Sequence, residues 1–534
     1  MSVDAPRALA NGLWAASALP SRLALARATR RVGPEQARVL RDMLRANARC
    51  EFGVRHGFPR LRSADEYRDR VPLSSYEDYR EAVERIARGA QGILTGDEVI
   101  RLVPTGGSTS GRKLIPYTRR LRAAMDAAVA AWAADLFTRL PRLLNGAAYW
   151  SVTPAVRVPE ADAHGFRVPV GFDDDAEYLG PVARRVMSRV MAVPATVRHI
   201  EDVDSWRYVT VAFLAREAGL ALVSVWNPLF LRLLLDALAR DWDAIADDLS
   251  NGVLRPPRPL PPVLAAALQG AWRADRGRGS EMRRIGAEES QPAARHARLW
   301  PALRLLSCWA DAHARGPAGD LSTLLPQARV QGKGLIATEG FVTLPILGRP
   351  GALLAVRSHF FEFLPRAANG GDATRLAHEL TAGDEYSVVL SNGAGLYRYR
   401  LRDVVRVVGH VGECPLLEFV AKEDQVSDRV GEKLDGRHVE AKLGESIAAA
   451  GLSAVFAMVA WEAGVHPHGR YVLFIEAPGD ADDALIAAAA RLDGALRENP
   501  QYAYARDLGQ LRPCEAVRVE ASATADYLAQ CAAR

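Results

Sequence analysis

Residues 105–113 read TGGSTSGRK, between the runs DEVIRLVP and LIPYT. Glycine lets backbone amides approach a ligand closely, Ser and Thr add hydroxyl donors, and a closing lysine adds positive charge, so the composition suits phosphate. A Walker A loop would require GxxxxGK followed by Ser or Thr, with a helix starting at the lysine. Here Gly106 and Gly111 have that separation, but Arg112 follows the second glycine. Leu114 follows Lys113, where a magnesium-binding hydroxyl is needed. The residues after the loop are short and apolar with a proline, and only then does a helix-like run begin. The stretch reads as a turn between two strands, suited to phosphate by composition, with a plain solvent-exposed turn as its other reading.

Lysine is scarce. Lys and Arg total 68, yet lysine occurs only at positions 113, 333, 422, 433 and 442. Arginine has taken almost every interchangeable cationic position, so a retained lysine marks a place that can need a compact ammonium rather than a planar fork. Lys113 closes the loop, and the last three fall within about twenty residues of one another. For Lys333 and Lys442, chance retention is an equal reading.

The elements that must position these residues follow from pattern. Residues 35–100 read as helices, among them SSYEDYREAVERIARG, which opens on a serine cap and ends at glycine. DEVIRLVP is a strand running into the loop, and RRLRAAMDAAVAAWAADLFTRL after it is a long helix. Between residues 140 and 330, strand-like AAYWSVTPAVRV, LALVSVW and LRLLSCWA alternate with helical runs, which implies an α/β core with several sheets. RPPRPLPP and ADRGRGSEMRR read as surface connections. GKGLIATEGFVTLPI and EYSVVLSNGAGLYRYRLRDVVRVVGH are strand-rich. Beyond residues 420–425 the pattern changes to a smaller unit of helix, two strands and helix.

Three stretches together resemble the adenylate-forming enzyme superfamily. TGGSTSGRK is similar, position for position in length, to their phosphate loop TSGTTGxPK; Ala337–Glu339 (ATE) resembles their second motif and Tyr399–Asp403 (YRLRD) their third. KEDQVSDRVGEKLDGRHVE resembles the hinge of their mobile C-terminal domain. Within that superfamily VPLSSYEDYREAVERIARG, KLIPYT, SVWNPLFL, KGLIATEGF and LYRYRLRDVVRVVG resemble GH3 acyl acid amido synthetases, particularly of the bacterial kind. The likeness runs in order from about residue 38 to near the C-terminus.

That resemblance implies a two-step reaction: a carboxylic acid attacks the α-phosphate of ATP with Mg2+, giving an acyl adenylate and pyrophosphate, and the amine of an amino acid then displaces AMP. It implies nucleotide contacts from Thr105, Gly107, Ser108, Thr109, Ser110, Lys113, Thr338, Tyr399, Asp403 and Lys433. Glu339, the sole acid in its segment and followed at once by glycine, would hold Mg2+, a hard cation that takes carboxylate and phosphate oxygens. Thr338 would donate to the α-phosphate. Asp403 would accept both ribose hydroxyls; an ion pair with Arg400 or Arg402 is its other reading. Lys433 would reach the phosphates from the C-terminal domain and stabilise charge in the transition state, and Asp424 would be the hinge. Thr338, Glu339 and Lys433 are thus the catalytic candidates. Trp226, Phe341 and the helix after residue 118 are candidate walls of the acid pocket. Two departures stand out: the glycine of the third motif is Arg402, and Gly106 replaces the usual serine.

Composition sets the frame. A chain of 534 residues exceeds one compact core. A net charge of +5 spread through the sequence, with no basic run carrying interleaved aromatics, gives no sign of a nucleic-acid partner. No run approaches eighteen apolar residues, so no membrane partner is expected. Five scattered cysteines without a CxxC suit a reducing cytoplasm. The expectation is a large multi-sheet α/β adenylation domain over 36–422, a leader at 1–35, helical or loosely ordered, and a small mobile α/β cap over 423–534. It would act as a cytoplasmic monomer using ATP and Mg2+ to join a carboxylic acid to an amino acid. A thiol acceptor, coenzyme A or a carrier protein, and a catalytically degenerate nucleotide binder are the alternatives.

Overall fold

A computed structural model of the chain describes residues 5–104, 113–151, 166–170, 189–366, 373–423, 426–427, 429–430, 432, 434–462, 469–507, 509–520, 522–525 and 527. The chain forms two compact units, Met1–Val420 and Ala421–Arg534.

In the first unit, helix α1 (Ala5–Ala28) occupies the segment read as a leader. It is packed into the core: Trp14 meets Phe137 edge-to-face at 5.1 Å. The buried Asn11 amide donates to the carbonyls of Leu144 at 2.9 Å and Gly146 at 3.0 Å. Helix α2 (Val32–Ala46) buries Gln36. The Gln36 amide donates to the carbonyls of Val356 and His359 while its oxygen accepts from the Phe361 amide, closing three backbone groups of a core loop.

Strands β1 (Val99–Pro104) and β2 (Leu114–Thr118) pair antiparallel, with Pro104 opposite Leu114 across the Ser/Gly-rich connection. Helix α3 (Arg119–Arg139) starts only after β2, where the Thr118 hydroxyl accepts the Leu121 amide at 3.2 Å. The order is strand, loop, strand, helix, which is why a Walker A reading fails.

Strands β3 (Ala147–Trp150), β4 (Leu220–Ser224), β5 (Leu305–Cys308) and β6 (Arg329–Gly332) form a parallel sheet in that order. Helix α4 (Val203–Arg216) lies in the chain between β3 and β4, and α5 (Pro228–Arg240) follows β4. β4 and β5 are buried throughout, as strands covered on both faces must be. One face, including Leu222 and Leu305, packs into the core shared with α1 and α3. The other, including Tyr149, Val223 and Leu306, packs into a second core with α4 and α5.

One expectation fails here. ADRGRGSEMRR is not a surface connection but the start of a helix, Arg276–Glu288, capped by the Asp275 side chain. Arg278 is buried, its guanidinium donating to the carbonyls of Ala215 and Leu299 and to Glu281. An arginine-rich stretch reads as solvated only when such partners are out of sight.

Short strands β7 (Ile336–Ala337) and β8 (Gly340–Phe341) form a hairpin. A seven-stranded sheet follows, from β9 (Thr343–Pro345), β10 (Ala352–Leu354), β11 (Phe360–Pro365), β12 (Arg375–Leu376), β13 (Glu385–Ser391), β14 (Tyr399–Val411) and β15 (Cys414–Lys422). Its order is β12-β11-β13-β14-β15-β10-β9.

The second unit holds helix α6 (Gly436–Ala449), strands Phe456–Glu462 and Arg470–Glu476, helix α7 (Asp482–Leu496) and strand Glu515–Arg518. The three strands form one sheet, and Leu473, Ile475, Leu485 and Leu492 lie in a core of their own. Among the described residues no helix is long and apolar enough to cross a membrane.

Candidate active site

Ile336 pairs with Phe341 and Ala337 with Gly340, so Thr338 and Glu339 are the two residues of a tight hairpin turn. Glu339 is only 9% exposed. Neighbouring side chains hold the turn. The Asn392 amide donates to the Glu339 carbonyl at 2.7 Å, while the Asn392 oxygen accepts from the amides of Ala394 and Leu396. The Tyr399 hydroxyl lies 3.4 Å from Glu339 Oε1. Behind the turn, the buried His359 ring accepts the Phe341 amide on Nε2 at 3.1 Å. A Cβ on Gly340 would come within 2.6 Å of that nitrogen, so the glycine next to the acid is required by packing. Burial pushes the Tyr399 phenol up, with the Glu339 carboxylate adding to the effect, so it stays a neutral donor.

Tyr399 opens β14, and Asp403 lies four residues on. The β13–β14 register breaks here: Val389 faces Arg400 and Ser387 faces Val404, leaving extra residues on β14. This bulge contains Arg402 at φ 61°, a left-handed conformation proper to glycine, which the third motif ordinarily carries at this point. Arg402 is exposed, whereas Asp403 is 2% exposed on the inward side. The bulge thus preserves the glycine-like backbone without the glycine. Ser74, from VPLSSY, clamps the strand start by exchanging backbone bonds with Arg398 and Arg400.

Lys113 is half-buried just before β2. Thr105, Gly106, Gly107, Ser108, Thr109, Ser110, Asp424 and Lys433 lie outside the described residues. Phe341 is a core residue. Trp226 sits between the end of β4 and the Asn227 cap of α5, half-buried, with its ring 6.0 Å from that of Trp309.

Sequence reasoning left Lys333 without a role. The structure puts it one residue past β6, 7% exposed, its Nζ donating to Ser224 Oγ at 2.7 Å. The ring centroids of Trp226 and Trp132 are 5.0 and 5.9 Å from that nitrogen. Burial pulls its pKa down from 10.5 to about 7. The signal was present in the scarcity of lysine. Lys442, by contrast, is a surface cation bridging Glu445 and Glu498. Asn392 and His359 had no sequence signal, because their partners are backbone groups of a turn distant in the chain.

A cavity of about 290 Å³ lies beside the alanine-rich face of α3, with Arg38, Arg120, Arg357 and His359 in its wall. Its arginines are already engaged: Arg38 and Arg357 with Glu35, and Arg120 with Asp97. Burial holds His359 neutral, its pKa pushed down to about 3.

Among the described residues no cluster of three or more carboxylate, imidazole or thiol ligands could cage a metal. A single buried carboxylate, Glu339, fits Mg2+, which ordinarily takes one or two protein carboxylates and completes its shell with phosphates and water.

Comparison with known proteins bears on the same regions. The GH3 family N-terminal domain matches residues 23–315, and the GH3 family central domain matches residues 352–422. The probable indole-3-acetic acid-amido synthetase GH3.4 of Oryza sativa subsp. japonica is 26% identical over 547 residues, covering 94% of this chain and 84% of that protein. The indole-3-acetic acid-amido synthetase GH3.3 of Arabidopsis thaliana is 22% identical over 428 residues, covering 76% and 70%. A solved structure of the GH3.15 acyl acid amido synthetase superposes with a TM-score of 0.78 at 17% identity, covering 95% of this chain and 89% of that one, a likeness of fold.

Proposed function

The chain belongs to the GH3 family and is an acyl acid–amino acid ligase that uses ATP to adenylate an acid and conjugate it to an amino acid, and from that premise we propose which residues do the work and which class of acid they take. Thr105, Gly107, Ser108, Thr109 and Ser110 hold the phosphates through amides and hydroxyls, with Lys113 as counter-charge. Thr338 donates to the α-phosphate. Asp403, inward-facing at the bulge, accepts the ribose hydroxyls. Tyr399 orients the Glu339 carboxylate and lines the nucleotide. Lys433 reaches the phosphates from the cap, and Asp424 is the hinge between an adenylation domain over 36–422 and a cap over 423–534. A magnesium ion held by Glu339 supplies neutralisation of phosphate charge while the acid attacks.

The observation that carries this assignment is the 3.4 Å approach of the Tyr399 hydroxyl to Glu339, which joins the second and third motifs, distant in the chain, around one buried carboxylate. In such a low-dielectric turn a carboxylate interacts more strongly with charge than it would in water.

The acid is an aryl or arylalkyl carboxylic acid. The indoles of Trp132, Trp150 and Trp226 and the α3 face offer flat apolar walls, and the rice and Arabidopsis relatives are named for indole-3-acetic acid. The chain is a cytoplasmic monomer of the bacterial type, which suits its arginine-rich composition and scattered cysteines.

The test is pyrophosphate release from MgATP across aryl acids, with and without mixed amino acids, with product masses measured in the same reactions. Acid-dependent release that becomes sustained only with amino acid, and gives an amide mass, is the expected result. Glu339→Gln should lower kcat by roughly 10²–10³-fold. A thioester with coenzyme A would displace the amine reading, and ATP binding without release from any acid would mark a degenerate site.

A further inference from the structure

Trp150 lies opposite Ser224, Ser224 opposite Ser307, and Ser307 opposite Gln331, so four strands place these residues in one row. Paired residues of a parallel sheet point to the same face. That face packs on α3, because the Trp132 indole of α3 donates to Gln331 Oε1 at 3.0 Å and meets Trp150 edge-to-face at 5.8 Å. Lys333, two residues past Gln331, continues the row at the strands' C-terminal ends, where open parallel sheets bind their ligands.

The row is under-satisfied. Among the described residues Ser307 Oγ and Gln331 Nε2 are buried without a hydrogen-bond partner, and native interiors rarely leave such groups unmade. Lys333 Nζ has three protons and one acceptor, Ser224 Oγ. No carboxylate pairs with it among the described residues. The indoles of Trp132 and Trp226 give partial compensation through their ring faces, yet among the described residues an ammonium this deep has no anion. The 290 Å³ cavity beside α3, which none of these residues lines, offers no equivalent, since its arginines are neutralised by their own carboxylates.

We propose that this row is the floor of the acid pocket, and that Lys333 is a specificity-determining residue that binds a second acidic oxygen, a ring hydroxyl or a second carboxylate, on an aryl acid. The proposal rests on the ligase reading and deepens it by naming the acid. The ring lies between the indoles of Trp132 and Trp226, and the distal oxygen accepts from Lys333 with Ser307 and Gln331 as further donors. The carboxylate to be activated points toward Glu339, six residues beyond Lys333 in the chain. An unsubstituted aryl acid would leave the ammonium unpaired, and that penalty is what discriminates. The lysine's titration near pH 7 agrees, because the bound anion would draw a proton onto it. Cys308, itself pushed up to about 11 by burial, is the titratable group that acts on Lys333.

The experiment compares phenylacetate with 4-hydroxyphenylacetate and 4-carboxyphenylacetate on the full chain, wild type and Lys333→Met, a swap of similar length. Kinetics of pyrophosphate release give KM for each acid and for ATP, and indole fluorescence titrated with each acid alone gives binding without turnover. Lys333→Met should raise KM for the two substituted acids roughly 10- to 100-fold, lower it for phenylacetate because no ammonium is left unpaired, leave that for ATP within about twofold, and abolish the substituted acids' advantage in the fluorescence titration. In the wild type that advantage should fade above pH 7. Equal effects on all three acids, or a change confined to the KM of ATP, would overturn the proposal. Lys333→Gln, which keeps a donor at similar length, takes the place of the methionine if that variant does not fold. Release that is indifferent to Lys333 would sink the inference and leave the ligase standing. Lysine-dependent fluorescence without release from any acid would sink the ligase reading while the pocket stands.

Discussion

Arg402 shows how a single backbone angle carries a motif after its residue has changed. At φ 61° a β-carbon is strained, and the third motif's glycine is the residue that relieves it. Arg402→Gly is therefore expected to stabilise the chain by roughly 0.5–1 kcal/mol, read as a rise in Tm, with the KM for ATP unchanged because Asp403 keeps its bulge. A fall in Tm would mean that the exposed guanidinium contributes more than the strain costs.

The decisive element is the β7–β8 hairpin, whose two turn residues, Thr338 and Glu339, are the proposed reactive pair. Its geometry is held from outside, by Asn392 on the Glu339 carbonyl and His359 on the Phe341 amide. Gly340→Ala would drive a methyl against the imidazole, costing about 1–3 kcal/mol and displacing Glu339, so kcat should fall with the melting temperature. Adding His359→Ser should recover part of both losses. A double variant worse than either single one would show that the imidazole contributes beyond filling space.

Across the whole molecule, Lys333 at the end of the parallel sheet and His359 just before β11 are both buried, and both make stability rise with pH, in different pH windows. With a pKa near 7 when folded and 10.5 when not, Lys333 makes the unfolded chain hold the extra proton between those values. Its contribution to stability therefore rises with pH across that window, and the penalty of the buried cation is fully felt below pH 7. Lys333→Met should raise Tm most at pH 6–7 and progressively less toward pH 10, in the absence of ligand. A constant gain at all pH would indicate that packing, not charge, sets the effect. His359, lowered from 6.5 to about 3, adds a loss of the same sign as pH falls from 6.5 toward 3.

Local patterns in the sequence determined the helices and strands around the site and the strand–loop–strand order that excludes a Walker A grip; the resemblance of ATE and YRLRD to known motifs singled out Thr338, Glu339, Tyr399 and Asp403. Those features depend on residue type and short-range spacing, which a sequence displays directly. The helix beginning at Arg276 was misread because its arginine is solvated by carbonyls from other segments. The supports of Glu339 and the place of Lys333 were likewise decided by tertiary structure. Asn392 reaches its partner across 53 positions and Lys333 reaches Ser224 across 109, and no local period encodes a pairing at that range. Strand register alone brings Trp150, Ser224, Ser307 and Gln331 into one row. The scarcity of lysine could mark Lys333, but only the fold shows that it is buried against two indoles with no carboxylate among the described residues to answer it.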